Sequence, residues 1–213
     1  MSRSAALAGI VFVVLYVAAW FVSQSPDTDD SSAQIAAYYT DKGHRTMMVV
    51  AAYLFVAAGL VFLCFLAGLR ARLFAGATHP EGPWGTFIVT AGAVFVGLLI
   101  VGAMAVAAVP ASMSLGGDRA PEGGDVVTVI QSAGYGMMLV GGMLSAAVMI
   151  AAVSLLTLRT ETLPRWSAWL GLVVAVLLLF AVVWFPQIAL LIWVLAISVI
   201  LLREPDGPRT ANP

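Results

Sequence analysis

Charged side chains fall in a few short clusters, and between them the chain runs apolar for lengths that a bilayer explains. Ser4 to Pro26, Thr46 to Leu69, Gly82 to Gly117, Val126 to Leu158 and Trp166 to Leu202 each lack any Asp, Glu, Lys, Arg or His. A helix rises 1.5 Å per residue and the hydrocarbon core is about 30 Å thick, so roughly 20 such residues cross it. The last run would reach about 55 Å as one helix, and Phe185-Pro186-Gln187 divides it, because proline removes a donor and clashes with the preceding turn. The pattern predicts an all-α membrane bundle of six transmembrane helices, at about 5–22, 46–69, 84–109, 127–158, 166–185 and 187–203. These form a single transmembrane domain over 1–213, with 204–213 as a short flexible cytoplasmic tail. One kinked helix through Pro186 is the alternative, and it would leave the C-terminus on the opposite face.

The clusters between the runs supply the ends. Arg3 ahead of Ala5 to Val22 also fits a secretory signal with a small-residue cleavage point near Ser23-Gln24-Ser25, but the run is longer than a usual signal core and reads as the first span. Between the first two spans, Ser31-Ser32-Ala33-Gln34 fits a capping box, Ile35 shares a face with Tyr38 and Tyr39, and Gly43 is placed to end the helix. A short interfacial amphipathic helix is expected there, its tyrosines at headgroup level. Arg70 and Arg72 close the second span, Pro110 the third, and Asp125 is placed to cap the fourth. Loop arginines then set orientation. With six spans Arg3, Arg70, Arg72, Arg159, Arg165, Arg203 and Arg209 share one side, and Lys42, Arg45 and Arg119 the other, which puts both termini in the cytoplasm.

Composition agrees: 62% of the 213 residues are hydrophobic and 10% charged, and the mean hydropathy is +1.01, against about 25% charged in soluble domains. Nine of the ten basic residues are arginine, and with the heavy use of Ala, Val and Gly this suggests a GC-rich bacterial genome; for an all-α membrane bundle of such a source the expected location is the cytoplasmic membrane. Cys64 stands alone, which rules out an intrachain disulfide and reads as a small buried apolar residue.

Chemistry is sparse. Ionisable residues inside spans mark ion and proton pathways, and none lies in these runs. His44 and His79 fall on opposite sides, as solvated loop residues, so no metal site is expected. Ser132-Ala133-Gly134-Tyr135-Gly136 lacks the order of a nucleophile elbow, and no phosphate loop, zinc helix or dinucleotide fingerprint is present. The expectation is a non-enzymatic protein with no cofactor and no nucleic-acid partner. What remains is mild polarity on the fourth span, where Gln131 and Tyr135 share a face at i and i+4. Small residues at four-residue spacing, Ala93/Gly97, Gly141/Ser145, Gly142/Ala146 and Gly171/Ala175, suit close helix packing.

Pro26-Asp27, Ile35-Ala36-Ala37-Tyr38-Tyr39, Phe65-Leu66-Ala67-Gly68-Leu69-Arg70, Leu163-Pro164-Arg165-Trp166, Trp169-Leu170-Gly171-Leu172-Val173 and Phe185-Pro186 resemble a group of six-helix multi-pass membrane proteins of unknown function common in actinobacteria. The likeness covers nearly the whole chain and implies location and helix count, but no site. The expected role is an accessory or assembly subunit of a larger membrane complex, acting through contacts with lipids and with a membrane-protein partner or a second copy. The alternative is a carrier or binder of a lipid or hydrophobic small molecule, with Tyr38, Tyr39, Gln131 and Tyr135 as candidate contacts. With Cys64→Ala as background, Thr210→Cys should resist a membrane-impermeant maleimide on intact cells while Asp118→Cys is labelled. Labelling at 210 would overturn the six-span orientation.

Overall fold

The structure is a computed structural model and describes residues 2–23, 38–75, 83–116, 124–180 and 185–203. Among these the chain is helical, with no strand. In chain order the helices are α1 (Ser2–Val22), α2 (Lys42–Phe74), α3 (Pro83–Gly116), α4 (Gly124–Gly136), a π-helical segment Met137–Gly142, α5 (Met143–Thr160), α6 (Arg165–Leu178) and α7 (Pro186–Arg203). α4, the π segment and α5 are continuous, so five stretches are long and apolar enough to cross a membrane, together with the shorter apolar α6. The proposed interfacial helix falls largely outside the described residues, which resume at a helical turn over 38–40.

Helices in lipid are apolar all round, so the core is chosen by size and shape. In α1 the buried positions are Ala5, Ala6, Phe12, Val13, Tyr16 and Ala19, while Leu7, Val11, Val14 and Phe21 face outward. Phe12 stacks on Phe62 of α2 at 4.9 Å between ring centroids, Phe62 meets Phe95 of α3 at 5.1 Å, and Tyr16 meets Phe55 edge-on at 5.3 Å. Such tilted and edge-on pairs each add about 0.5–1.5 kcal/mol beyond area burial.

The pairings give the directions. Ala5 lies against Gly68 and Tyr16 against Phe55, so α1 and α2 are antiparallel. Gly92 faces Leu66 and Met149, and Gly102 faces Gly134, so α3 runs antiparallel to α2 and to the continuous fourth stretch. Gly9 meets Ser198, and Tyr16 bonds Gln187, so α7 runs against α1. One end of the bundle therefore gathers Arg3, Arg70, Arg72, Arg159, Arg165 and Arg203. The other gathers Tyr39, Lys42, Arg45, Tyr135 and Gln187. Arg159 covers the ring of Trp84 at 5.6 Å, tying the α5 end to the start of α3.

Several boundaries differ from the sequence reading. α3 continues through Pro110 to Gly116, because Val109 and Met113 on either side of it are buried against Tyr39, Met48 and Val127, and that packing outweighs the missing donor. Ser112 and Ser114 hydroxyls donate to the carbonyls of Val109 (2.8 Å) and Pro110 (2.9 Å). Gly43 opens a helix instead of closing one: Asp41 is the N-cap of α2, and its carboxylate accepts from the Gly43 N–H at 2.6 Å. His44 accordingly sits in the first turn of α2, stacked on Tyr38 at 4.2 Å, instead of in a loop, while His79 lies outside the described residues. α2 also carries Arg70 and Arg72 within it, ending at Phe74. The fourth stretch starts at Gly124, so Asp125 lies in its first turn instead of ahead of it. α6 stops at Leu178, seven residues short of the expected 185, and Pro186 begins α7, where a missing N–H costs nothing. Cys64 is exposed on the lipid-facing side of α2, not buried.

Glycine decides how closely the helices approach. A Cβ on Gly68 would stand 2.1 Å from that of Ala5, so α1 and α2 are in backbone-range contact there. A Cβ on Gly134 would meet the Gly102 carbonyl at 2.8 Å, and one on Gly102 the Gly134 carbonyl at 2.6 Å, so α3 and α4 touch backbone to backbone. The Ala93/Gly97 pair, by contrast, is exposed, with open space beside Gly97. Gly68→Ala should destabilise the detergent-solubilised protein by about 1–3 kcal/mol through overpacking. Combining it with Ala5→Gly should restore most of the loss in a thermal-unfolding assay, and additive losses would refute the assigned contact.

Candidate functional site

At the arginine-poor end the chain brings the four candidate residues together. The 38–40 turn lies just ahead of the Asp41 cap, and this holds Tyr39 over α3 and α4, where it is 2% exposed among Met48, Val106, Val109, Met113 and Val127. Gln131, in the second turn of α4, donates from Nε2 to the Tyr39 hydroxyl. Tyr38 crosses Tyr39 edge-on at 5.6 Å, and Tyr135, one turn beyond Gln131, packs against the same cluster. The four residues singled out from sequence are thus neighbours. Burial raises the phenol pKa of Tyr39 well above its usual value, with the bond from Gln131 opposing and the nearby Tyr135 and Tyr38 adding to the rise. Partial burial raises that of Tyr38 too, helped by Tyr135 and Asp41.

One layer deeper lies a cavity of about 60 Å3 between α1, α2, α3, α4, the π segment and α7. Its walls are Met48, Ala51, Ala52 and Phe55 of α2, Ala103 and Val106 of α3, Tyr135 and Met138, with Trp20 and Ser23 at the end of α1 and Gln187 in the first turn of α7. Gln187 is 5% exposed. Its Oε1 accepts from the Tyr16 hydroxyl at 2.8 Å, while its Nε2 has no hydrogen-bond partner. The amide orientation follows from satisfaction: turning it over would leave both the phenol hydrogen and the amide oxygen unpaired in a buried place.

Of the cavity's surroundings the sequence pattern singles out Tyr135 but not Gln187, Tyr16 or Phe55. A signal exists for one of them, since Gln187 is the sole amide in the 37-residue run from Trp166 to Leu202. Pro186 beside it reads as a helix breaker and masks the amide. Tyr16 and Phe55 carried no signal, because an aromatic residue in an apolar run is ordinary until the partner helix is known. Elsewhere, among the described residues, no group of three or more His, Cys, Asp or Glu side chains is placed to hold a metal ion.

No family model matches the chain, and no curated protein or solved structure matches it.

The two raised phenols make a pH dependence. A group whose folded pKa lies above the unfolded value, about 10 for tyrosine, contributes stability that is complete below that value and is lost as pH rises through the folded one. Thermal stability should therefore fall as pH climbs above about 10. Tyr39→Phe should remove one late step from an ultraviolet phenolate titration and, by leaving the Gln131 amide without its acceptor, cost about 1–3 kcal/mol at neutral pH. An unchanged titration curve would contradict the buried placement of Tyr39.

Proposed function

We propose that this chain is a six-span integral protein of a bacterial cytoplasmic membrane, its arginine-rich end inside, that binds a small hydrophobic or amphiphilic molecule in the cavity beside Gln187 and Tyr135. Six spans are favoured because α6 begins at the arginine-rich end, directly after α5, whereas α7 begins at the opposite end beside Tyr16. The residues between must make the crossing. α6 itself covers about 21 Å of that crossing. Likeness to the actinobacterial six-helix group fits the same arrangement.

The observation that carries the binding role is a cavity lined by the buried Gln187 and by Tyr135, whose other walls are almost wholly apolar. Small-molecule sites are concave and apolar with few polar groups and commonly enclose about 300–1,000 Å3, so this cavity of about 60 Å3 takes in only a small part of such a molecule. An accessory role through helix contacts draws on outward apolar rows such as Trp169, Val173 and Val176 of α6, but lipid covers such rows in any membrane bundle. The cavity is therefore what supports the binding reading over the accessory one.

Extraction in a mild detergent followed by native mass spectrometry should show a small molecule retained at near one-to-one ratio. Ala52→Leu, which fills the cavity wall, should abolish retention while leaving the helical circular-dichroism spectrum unchanged. A wild-type protein that emerges with no small molecule, or with a stoichiometric protein subunit in its place, would overturn the binding role.

A further inference from the structure

We infer that the arginine-rich end of the bundle docks anionic phospholipid, with Arg159, held against Trp84, as the contact to the lipid phosphate. This surface lies at the far end from the cavity, and the inference stands or falls without the binding role proposed above. Charge supplies the first argument. By helix direction and place in the chain, this end carries the seven arginines assigned to one side from sequence, against the acids Glu81, Glu161, Glu204 and Asp206, a net of +3. The other end carries three basic residues and seven acids, a net of −4, and the two together make up the chain's −1. An end with that excess attracts anionic headgroups and has no such pull on a zwitterionic surface.

Geometry supplies the second. Arg159, in the last turn of α5, is exposed, and its guanidinium covers the Trp84 ring at 5.6 Å. Trp84 is half-buried and packs against the main core, so the ring is a fixed platform. A guanidinium resting on a ring keeps N–H donors at its edge, and its planar fork fits the paired oxygens of a phosphate. Among the described residues Arg159 has no carboxylate partner, since Glu161, the one acid described at this end, is bonded to Arg165. Its donors are left for the headgroup layer. Depth agrees: Trp166 and Trp169, 55% and 62% exposed in the first two turns of α6, belong to the tryptophan belt that marks the headgroup boundary. The competing role for these arginines is to fix orientation by charge alone, with no particular lipid bound.

The test is native mass spectrometry of the full chain released from detergent, titrated with phosphatidylglycerol or with phosphatidylcholine of the same acyl chains. Phosphatidylglycerol should bind wild type about tenfold tighter or more. Arg159→Gln should weaken phosphatidylglycerol about fivefold, which corresponds to about 1 kcal/mol, and leave phosphatidylcholine unchanged. Lys42→Gln removes the same charge at the opposite end and should change neither lipid. Arg159→Lys keeps the charge without the planar fork, so it should fall between wild type and Arg159→Gln, and as the milder change it also serves if Arg159→Gln fails to fold. Equal binding of the two lipids overturns the inference. So does a preference for phosphatidylglycerol that survives Arg159→Gln and Arg159→Lys alike, the result expected of charge that only fixes orientation. A loss in Lys42→Gln equal to that in Arg159→Gln does the same. Displacement of phosphatidylglycerol by inorganic phosphate would also overturn it, because the site would then be one for the free ion instead of for a lipid surface.

Discussion

In hydrocarbon no water is available to satisfy backbone N–H and C=O groups, and lipid tails are as apolar as a leucine side chain. The first constraint makes every crossing segment a helix; the second removes the usual reward for burying apolar faces. What holds this bundle together must then be contact quality. The structure meets that need with small residues where backbones touch, Ala5 on Gly68 and Gly102 on Gly134, and with interlocked rings, Phe12, Phe62 and Phe95, where they stand further apart. Polar groups are admitted sparingly.

The two ends differ in kind. At the arginine-rich end charged groups meet solvent or an aromatic face: Arg165 pairs with Glu161 in the open, an arrangement of small energetic worth, and Arg159 covers Trp84. At the opposite end polar groups are drawn inward: Arg45 is 3% exposed, Gln131 turns to Tyr39 and Gln187 to Tyr16. The Gln131–Tyr39 pair is closed on itself within an apolar cluster. The second sits beside the cavity and leaves Gln187 Nε2 buried without an acceptor, a cost carried by the folded state.

Much of this architecture was legible from composition because the bilayer writes it in long uncharged runs. Break positions were less legible, since local chemistry competes with packing. Pro110 reads as a stop and is carried through by the burial of Val109 and Met113, whereas the real stop at Leu178 has no breaker in sequence at all. Gly43 reads as an end and forms part of a beginning, because Asp41 two residues earlier supplies a stronger instruction. The site was half legible. Gln131 and Tyr135 stand out by their spacing, but the partner of Gln131 lies 92 residues away and that of Gln187 lies 171 away. Pairings over such distances are products of the bundle's topology and are absent from any local window.

The π-helical segment Met137–Gly142 sits between the half of the fourth stretch that bears Gln131 and Tyr135 and the half that anchors Met149 and Ser154 in the core. A wide turn holds one residue more than α geometry of the same rise. Excising a single residue there would let the turn close to α geometry with both halves still facing as they do, whereas the same loss from the α-helical part on either side would rotate one half by about 100° and turn Gln131 and Tyr135 away from Tyr39 and the cavity. The wide turn is thus the one place in this stretch where the count of residues can change without changing the direction in which a polar face looks.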